Sequence, residues 1–271
     1  MSTTRFPWRR GVLLLAAGVL LTMSAAACDD DGDDGDNDGE ASAAEIQLVE
    51  DTIRRAVESD GSNADFFFEH VTDNIIETVL FSTRDECVAN PDECIGAPTA
   101  VESISGTRID GDTATSVVAI EFGTFEVGAV REAGVWKVDQ FQPVSDDVPD
   151  GATLVDLDLQ DFAFILDTAE IPGDGNFAFH VTNNGEQSHE VVVVAVPPGE
   201  DFESAVEAVA TEQVPPRALK VFIRPGQVVD MSFDGSLEPG QYALVCFLPD
   251  TSDPEFTAHI DKGMFAEFTV E

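Results

Sequence analysis

The stretch YALVCFLPDTSDPEFTAHIDKGMFAEFTV, Tyr242 to Val270, carries alternating apolar residues at both ends of a polar, proline-containing loop. A period of two marks strands whose successive side chains point to opposite faces. In QYALVCF, Tyr242, Leu244 and Cys246 share one face. In MFAEFTV, Met264, Ala266, Phe268 and Val270 share the face opposite Phe265, Glu267 and Thr269. Cys246 therefore points inward at the end of one strand, and Met264 points inward at the start of the next. The connecting loop, Phe247 to Gly263, lies at that same end and holds His259.

Working outward, the segments TLVDLDLQDFAFIL, GNFAFHVTNNG, HEVVVVAV and ALKVFIRPGQVVDMSF also read as strands, separated by Asn-Gly and Pro-Gly turn signals. Only DFESAVEAVAT, Asp201 to Thr211, has helical spacing. Residues 150–271 are thus expected to form an all-β Greek-key sandwich or small barrel. His189 opens HEVVVVAV directly after the Asn183-Asn184-Gly185 turn, whereas His180 lies opposite Phe177, Phe179 and Val181 and is expected to face outward.

A joint rich in Pro, Asp and Gly, QPVSDDVPDGATL, separates this part from residues 43–149. There AAEIQLVEDTIRRAVES places Ile46, Val49, Ile53 and Val57 at helical spacing behind Ser42 as N-cap, and NADFFFEHVTDNIIETVLF continues the helical period. The pattern then switches to strands in VESISGTRIDGDTATSVVAIEFG, TFEVGAVREAG and VWKVDQFQP. Helices followed by a meander predict an α+β domain with helices on one face of a curved antiparallel sheet. At IDGDTATSVVAIEF and REAGVWKVDQF this part resembles the NTF2-like (SnoaL-like) family, which implies a cone-shaped fold and says little about activity. Some relatives are enzymes that use an Asp or His in the cone. Here His70 and Asp73 are the only such pair and lack a third group, so the domain is read as a binding or spacer module and the chain as no enzyme.

Fifty-three acidic against 13 basic residues give a net charge of −40, which makes nucleic acid and bare anionic membrane poor partners. The N-terminus has Arg5, Arg9 and Arg10 before an apolar run from Gly11 to Met23, the layout of an export signal over residues 1–27. Ala25, Ala26 and Ala27 before Cys28 resemble a bacterial lipoprotein box. That resemblance implies acylation of Cys28, a lipid anchor and a place on the outer face of the cytoplasmic membrane. Residues 28–42, rich in Asp and Gly, read as an acidic tether. A calcium-loop pattern, Asp34, Asp36, Asp38, Gly39 and Glu45, begins within them and ends just beyond, and an Asp/Gly-rich run generates it by chance.

Cysteine bookkeeping follows. In DECVANPDEC, Cys87 and Cys94 flank a short Asn-Pro turn and are expected to close a disulfide in an exported protein. With Cys28 assigned to lipid, Cys246 is left without a partner. It is either inert and buried or engaged in metal or redox chemistry. A thiolate, two imidazoles and a weak, distant thioether are what a blue copper site requires. At NNGEQSHE, LEPGQYALVC and HIDKGM, residues 151–271 resemble the cupredoxin (plastocyanin-like) family. Matched residue by residue, the resemblance implies His189, Cys246, His259 and Met264 as ligands of one type 1 copper ion, with electron transfer to a redox partner protein as the function. Zinc in a Cys-His-His site and a metal-free binding module are the alternatives. Twelve residues separate Cys246 from His259, more than the family usually has. Each doubling of a loop costs only about 0.6 kcal/mol of closure entropy, so the length does not forbid ligation.

Overall fold

The computed structural model describes residues 41–168, 170–171, 176–211, 213–233 and 237–271. The export signal, Cys28 and the calcium-loop positions Asp34 to Gly39 lie outside them. Glu45 is described, and its carboxylate is held by Arg131 Nη1 at 2.5 Å. Among the described residues, no helix is long and apolar enough to cross a membrane.

Helix α1, Ala43–Val57, starts at Ser42, whose hydroxyl accepts the Glu45 N–H and satisfies one of the orphan donors of the first turn. Its buried stripe of Val49, Ile53 and Ala56 packs with a four-stranded antiparallel meander. The meander runs β1 Val101–Asp110, β2 Thr113–Ile120, β3 Gly123–Glu132 and β4 Val135–Pro143 in sequential order. The expected continuous helical run after residue 63 is broken into α2, Ala64–His70, and α3, Asp73–Thr78. The cause is β4: Val71 bridges Val138, and Thr72 N–H donates to Val138 O at 3.0 Å, so the chain leaves helix to pair with the sheet.

The Cys87–Cys94 disulfide is present, but its surroundings are helical, which corrects the expected turn. Helix α4, Arg84–Ala89, begins at a capping box of Thr83 and Glu86, and α5, Pro91–Ile95, begins at a proline that needs no N–H partner.

The second domain is a sandwich of two sheets. One sheet has the order β11-β8-β5-β6, built from β5 Thr153–Gln160, β6 Ala163–Leu166, β8 Phe177–Asn183 and β11 Val228–Met231. The other has the order β10-β9-β12-β13-β7, from β7 Glu170–Ile171, β9 His189–Val196, β10 Ala218–Ile223, β12 Gly240–Val245 and β13 Phe265–Val270. Leu157, Phe179, Val193, Leu244, Phe268 and their neighbours fill the space between. The outer face of the second sheet is also covered: α6, Phe202–Ala210, sets Ala205 and Val206 against Val192, Val194, Ala243 and Val245. Burial on both faces explains why β9 and β12 read as nearly unbroken apolar runs.

The domains are joined by more than the linker. The buried Lys220 of β10 donates through Nζ to Val144 O at 2.9 Å and Asp146 Oδ1 at 2.6 Å, and Asp146 Oδ2 accepts the Ser232 N–H. Beside it, Phe222 packs on Phe81 and Phe141 at ring separations of 6.3 and 6.5 Å. Lys220→Ala is expected to cost about 1–3 kcal/mol, because Asp146 and a carbonyl lose a buried donor. Urea unfolding should then separate into two transitions; one unchanged transition would show that the two domains do not depend on this contact.

Candidate metal centre

Three segments meet at one end of the sandwich. The first is the turn between β8 and β9. Buried Asn183 shapes it: Oδ1 accepts the Gly185 N–H at 2.8 Å, and Nδ2 donates to Gln187 O and Ile223 O. His189 then enters β9 fully buried. Position 185 has no room for a side chain, since a Cβ there would lie 2.8 Å from His189 Nε2 and 2.4 Å from Asp161 Oδ1.

The second segment is the β5–β6 turn. Asp161 accepts the Glu186 N–H and the Gln187 N–H, and His189 Nε2 donates to its Oδ1 at 2.8 Å. A carboxylate on Nε2 fixes the tautomer and turns the Nδ1 lone pair inward. Burial lowers the His189 pKa against the pull of Asp161, and it lowers that of His259 to about 4 with help from His189. Both rings are therefore neutral at pH 7 and able to ligate.

The third segment answers whether the long loop returns His259. Cys246 follows β12 directly, and Ile260 N–H donates to Cys246 O at 2.9 Å while His259 N–H donates to Leu248 O at 2.9 Å. Residues His259–Lys262 form one turn of 3₁₀ helix, closed by Gly263 in the left-handed region at φ 102°. Met264 N–H then donates to His259 O, and Cys246 N–H donates to Met264 O at 3.4 Å. Within the loop, Asp250 is buried and accepts from Gln187 Nε2, Ser252 N–H and Lys262 Nζ.

The outcome is a buried cluster of His189, Cys246 and His259 whose ligand atoms lie within 4.8 Å of one another. His259 Nδ1 is 3.1 Å from His189 Nδ1 and 3.3 Å from Cys246 Sγ. Atoms bound to one ion at about 2.0–2.1 Å (nitrogen) and 2.3 Å (sulfur) with these two separations each subtend about 100° at it, so His259 is placed to share one ion with His189 and with Cys246. Burial, with the nearby Glu190 carboxyl, raises the Cys246 pKa well above its ordinary value. A bound cation reverses that, because a coordinating thiol is deprotonated. Glu190 N–H donates to Cys246 Sγ at 3.4 Å, and the Glu190 carboxyl, pushed up to about 7 by burial, accepts the Phe247 N–H at 2.7 Å.

Met264 is fully buried in the same core cluster as Cys246, one residue before β13 rather than within it. His180 faces outward as expected, bonded through Nδ1 to Asp230 at 2.7 Å. His70 and Asp73 form no joint site: His70 Nδ1 contacts Phe66 O, and Asp73 is paired with Arg84 at 2.5 Å. The residues not singled out from sequence are Asp161, Gly185, Glu190 and Asp250. Asp161, Gly185 and Asp250 act through a turn or loop, where an aspartate or glycine carries no periodic signal; Glu190 lies in β9, and its adjacency to His189 is the one available cue.

Burial pushes the Asp250 carboxyl up, but the bonds from Lys262, Ser252 and Gln187 outweigh it and hold it well below the usual carboxylate range. A depressed folded pKa stabilises above the unfolded value, near 3.9, and that contribution is lost as pH falls further. Asp250→Asn is therefore expected to destabilise by about 1–3 kcal/mol at pH 7. The gap to the parent should narrow progressively in denaturant titrations as the pH falls below about 4; a gap independent of pH would contradict this role.

No family model matches the chain, and no curated protein does. Among solved structures it is similar to reduced auracyanin from Roseiflexus castenholzii, at 23% identity over 45% of this chain and 99% of that one, with a TM-score of 0.31. It is also similar to auracyanin B, at 20% identity over 48% of this chain and 98% of that one, with a TM-score of 0.31. A third is auracyanin A, a "blue" copper protein from Chloroflexus aurantiacus, at 15% identity over 45% of this chain and all of that one, with a TM-score of 0.30.

Proposed function

We propose that residues 150–271 form a sandwich that binds one type 1 copper ion, which His189, Cys246 and His259 would hold with Met264 as a weak further ligand, and that it carries single electrons. The observation behind this is the fully buried set of two imidazoles and one thiol, with the Nδ1 atoms 3.1 Å apart and His259 Nδ1 3.3 Å from the sulfur. A His₂Cys set with a thioether close by in sequence and core favours copper over zinc, which prefers four firm ligands. When bound, copper supplies a one-electron couple.

The chain's own residues supply the rigidity. Asp161 holds the His189 ring, backbone N–H groups of Glu190 and Leu248 point at the sulfur, and the Glu190 carboxyl ties down Phe247. Donors fixed before the metal arrives leave little to rearrange when its charge changes, which favours fast transfer. The chain is further proposed to be exported and anchored through Cys28, with residues 28–42 as a tether, residues 43–149 as an NTF2-like spacer or binding module, and no enzymatic activity of its own.

Titration of Cu(II) into protein lacking residues 1–40 should produce an intense visible thiolate-to-copper band that saturates at one equivalent. Cys246→Ser should abolish the band without unfolding the sandwich. Colourless protein with no retained copper would contradict the proposal. Met264→Leu should keep the band and raise the reduction potential, since the axial ligand and local hydrophobicity tune it.

A further inference from the structure

Asn183, which shapes the turn before His189, is itself held by the turn between β10 and β11. Its N–H donates to Gln227 O at 3.0 Å, its carbonyl accepts the Gly226 N–H at 2.8 Å, and its Nδ2 donates to Ile223 O at 2.7 Å. The same short segment is where the sandwich meets the first domain. Gln227 Nε2 donates to Pro143 O at 3.0 Å, and Arg224 Nη2 donates to Phe141 O at 3.4 Å, both at the end of β4. Gln227 Oε1 accepts the Arg224 N–H at 3.0 Å, so one side chain both fixes the turn and ties it to the other domain.

Strand β10 carries a second link. Lys220 pairs with Val191 and Ile223 with His189, so β10 spends one more residue than β9 over this interval. Such a bulge re-aims side chains. Here Phe222 takes a left-handed backbone, φ 57°, and its ring lies against Phe81 and Phe141 of the first domain. Phe81 is held in the same region, at φ 50°. A bulky residue keeps a positive φ only where its surroundings compel it. Two such aromatic residues thus meet across the domain contact, and the residue that follows the bulge, Ile223, is the strand partner of His189.

We propose that the first domain is a positioning element for the metal centre: the end of β4 and Phe81 seat the β10 bulge and the β10–β11 turn, and Gln227 passes that placement to Asn183 and His189. The inference rests on the copper reading for the ion, while the placement of the turn is a property of the metal-free chain. Cys246 and His259 are set by the β12–β13 segment of the sandwich, so the first domain acts on the His189 half of the centre. Docking of the domains and binding of the metal then strengthen each other by the same factor.

The test uses the full chain carrying Cys28→Ser and two variants of the contact, Gln227→Ala and Phe81→Ala, with Gln140→Ala at an exposed position of β4 as control. Amide hydrogen exchange on the metal-free protein follows the Asn183 and Gly185 N–H groups, with Leu244 in β12 as the reporter of global opening. Both variants should exchange about tenfold faster at Asn183 and Gly185 with Leu244 unchanged, and Gln140→Ala should match the parent at all three. Competition with a chelator should show Cu(II) held about fivefold more weakly by both variants. In the parent, Cu(II) should slow exchange of the Arg224 N–H, as reciprocity requires. A parent that binds no copper would refute the copper reading and leave the exchange rates to decide the positioning. Exchange at Asn183 and Gly185 that is unchanged in Gln227→Ala, or accelerated no more than at Leu244, would overturn the proposal. So would an unchanged copper affinity in both variants of a parent that binds copper.

Discussion

The backbone bonds that close the segment between β12 and β13 are the constraint on which the centre depends. His259 N–H on Leu248 O and Ile260 N–H on Cys246 O bring the far end of a twelve-residue loop back onto its own beginning. Met264 N–H on His259 O then hands the chain to β13. These bonds convert a flexible connection into a fixed one, so that the Nδ1 of His259 faces the Cys246 sulfur. Without them the loop could extend into solvent, and two donors would remain where three are needed.

The surplus loop length is consumed by structure of its own. Pro249 bridges Ala258, Asp250 N–H donates to Thr257 O, and the Asp250 carboxylate gathers Gln187, Ser252 and Lys262. Gln187 belongs to the turn that positions His189, so the loop and the turn share one buried carboxylate. The two histidine-bearing segments are thereby held to each other by a contact outside the ligand set. Burial of an aspartate is costly unless its acceptor sites are filled, and here several donors fill them.

Much of this was legible in the sequence because strands announce their faces. Alternation places Cys246 and Met264 inward and His180 outward, and the structure has all three so. The unbroken valines of HEVVVVAV meet the core on one face and α6 on the other, an arrangement that reading the segment as a strand did not include. What periodicity cannot show is the geometry of turns. Asp161 reaches His189 only because β5 pairs with β8 in parallel, a non-local contact no spacing encodes. The helices beside Cys87 and Cys94 were missed for another reason: a Thr-x-x-Glu box and an N-terminal proline were present, but each helix is too short to show a period. The split of α2 from α3 is a tertiary effect, since β4 captures Val71 and Thr72 against their local preference.

The centre's defining property is a thiol that burial keeps protonated until a cation with two neutral imidazoles takes its proton's place. The most direct measurement of that claim is X-ray absorption at the copper edge of the loaded protein. The account predicts one short copper–sulfur bond and two imidazole nitrogens in the first shell. A shell of nitrogen and oxygen only, with no sulfur, would contradict it.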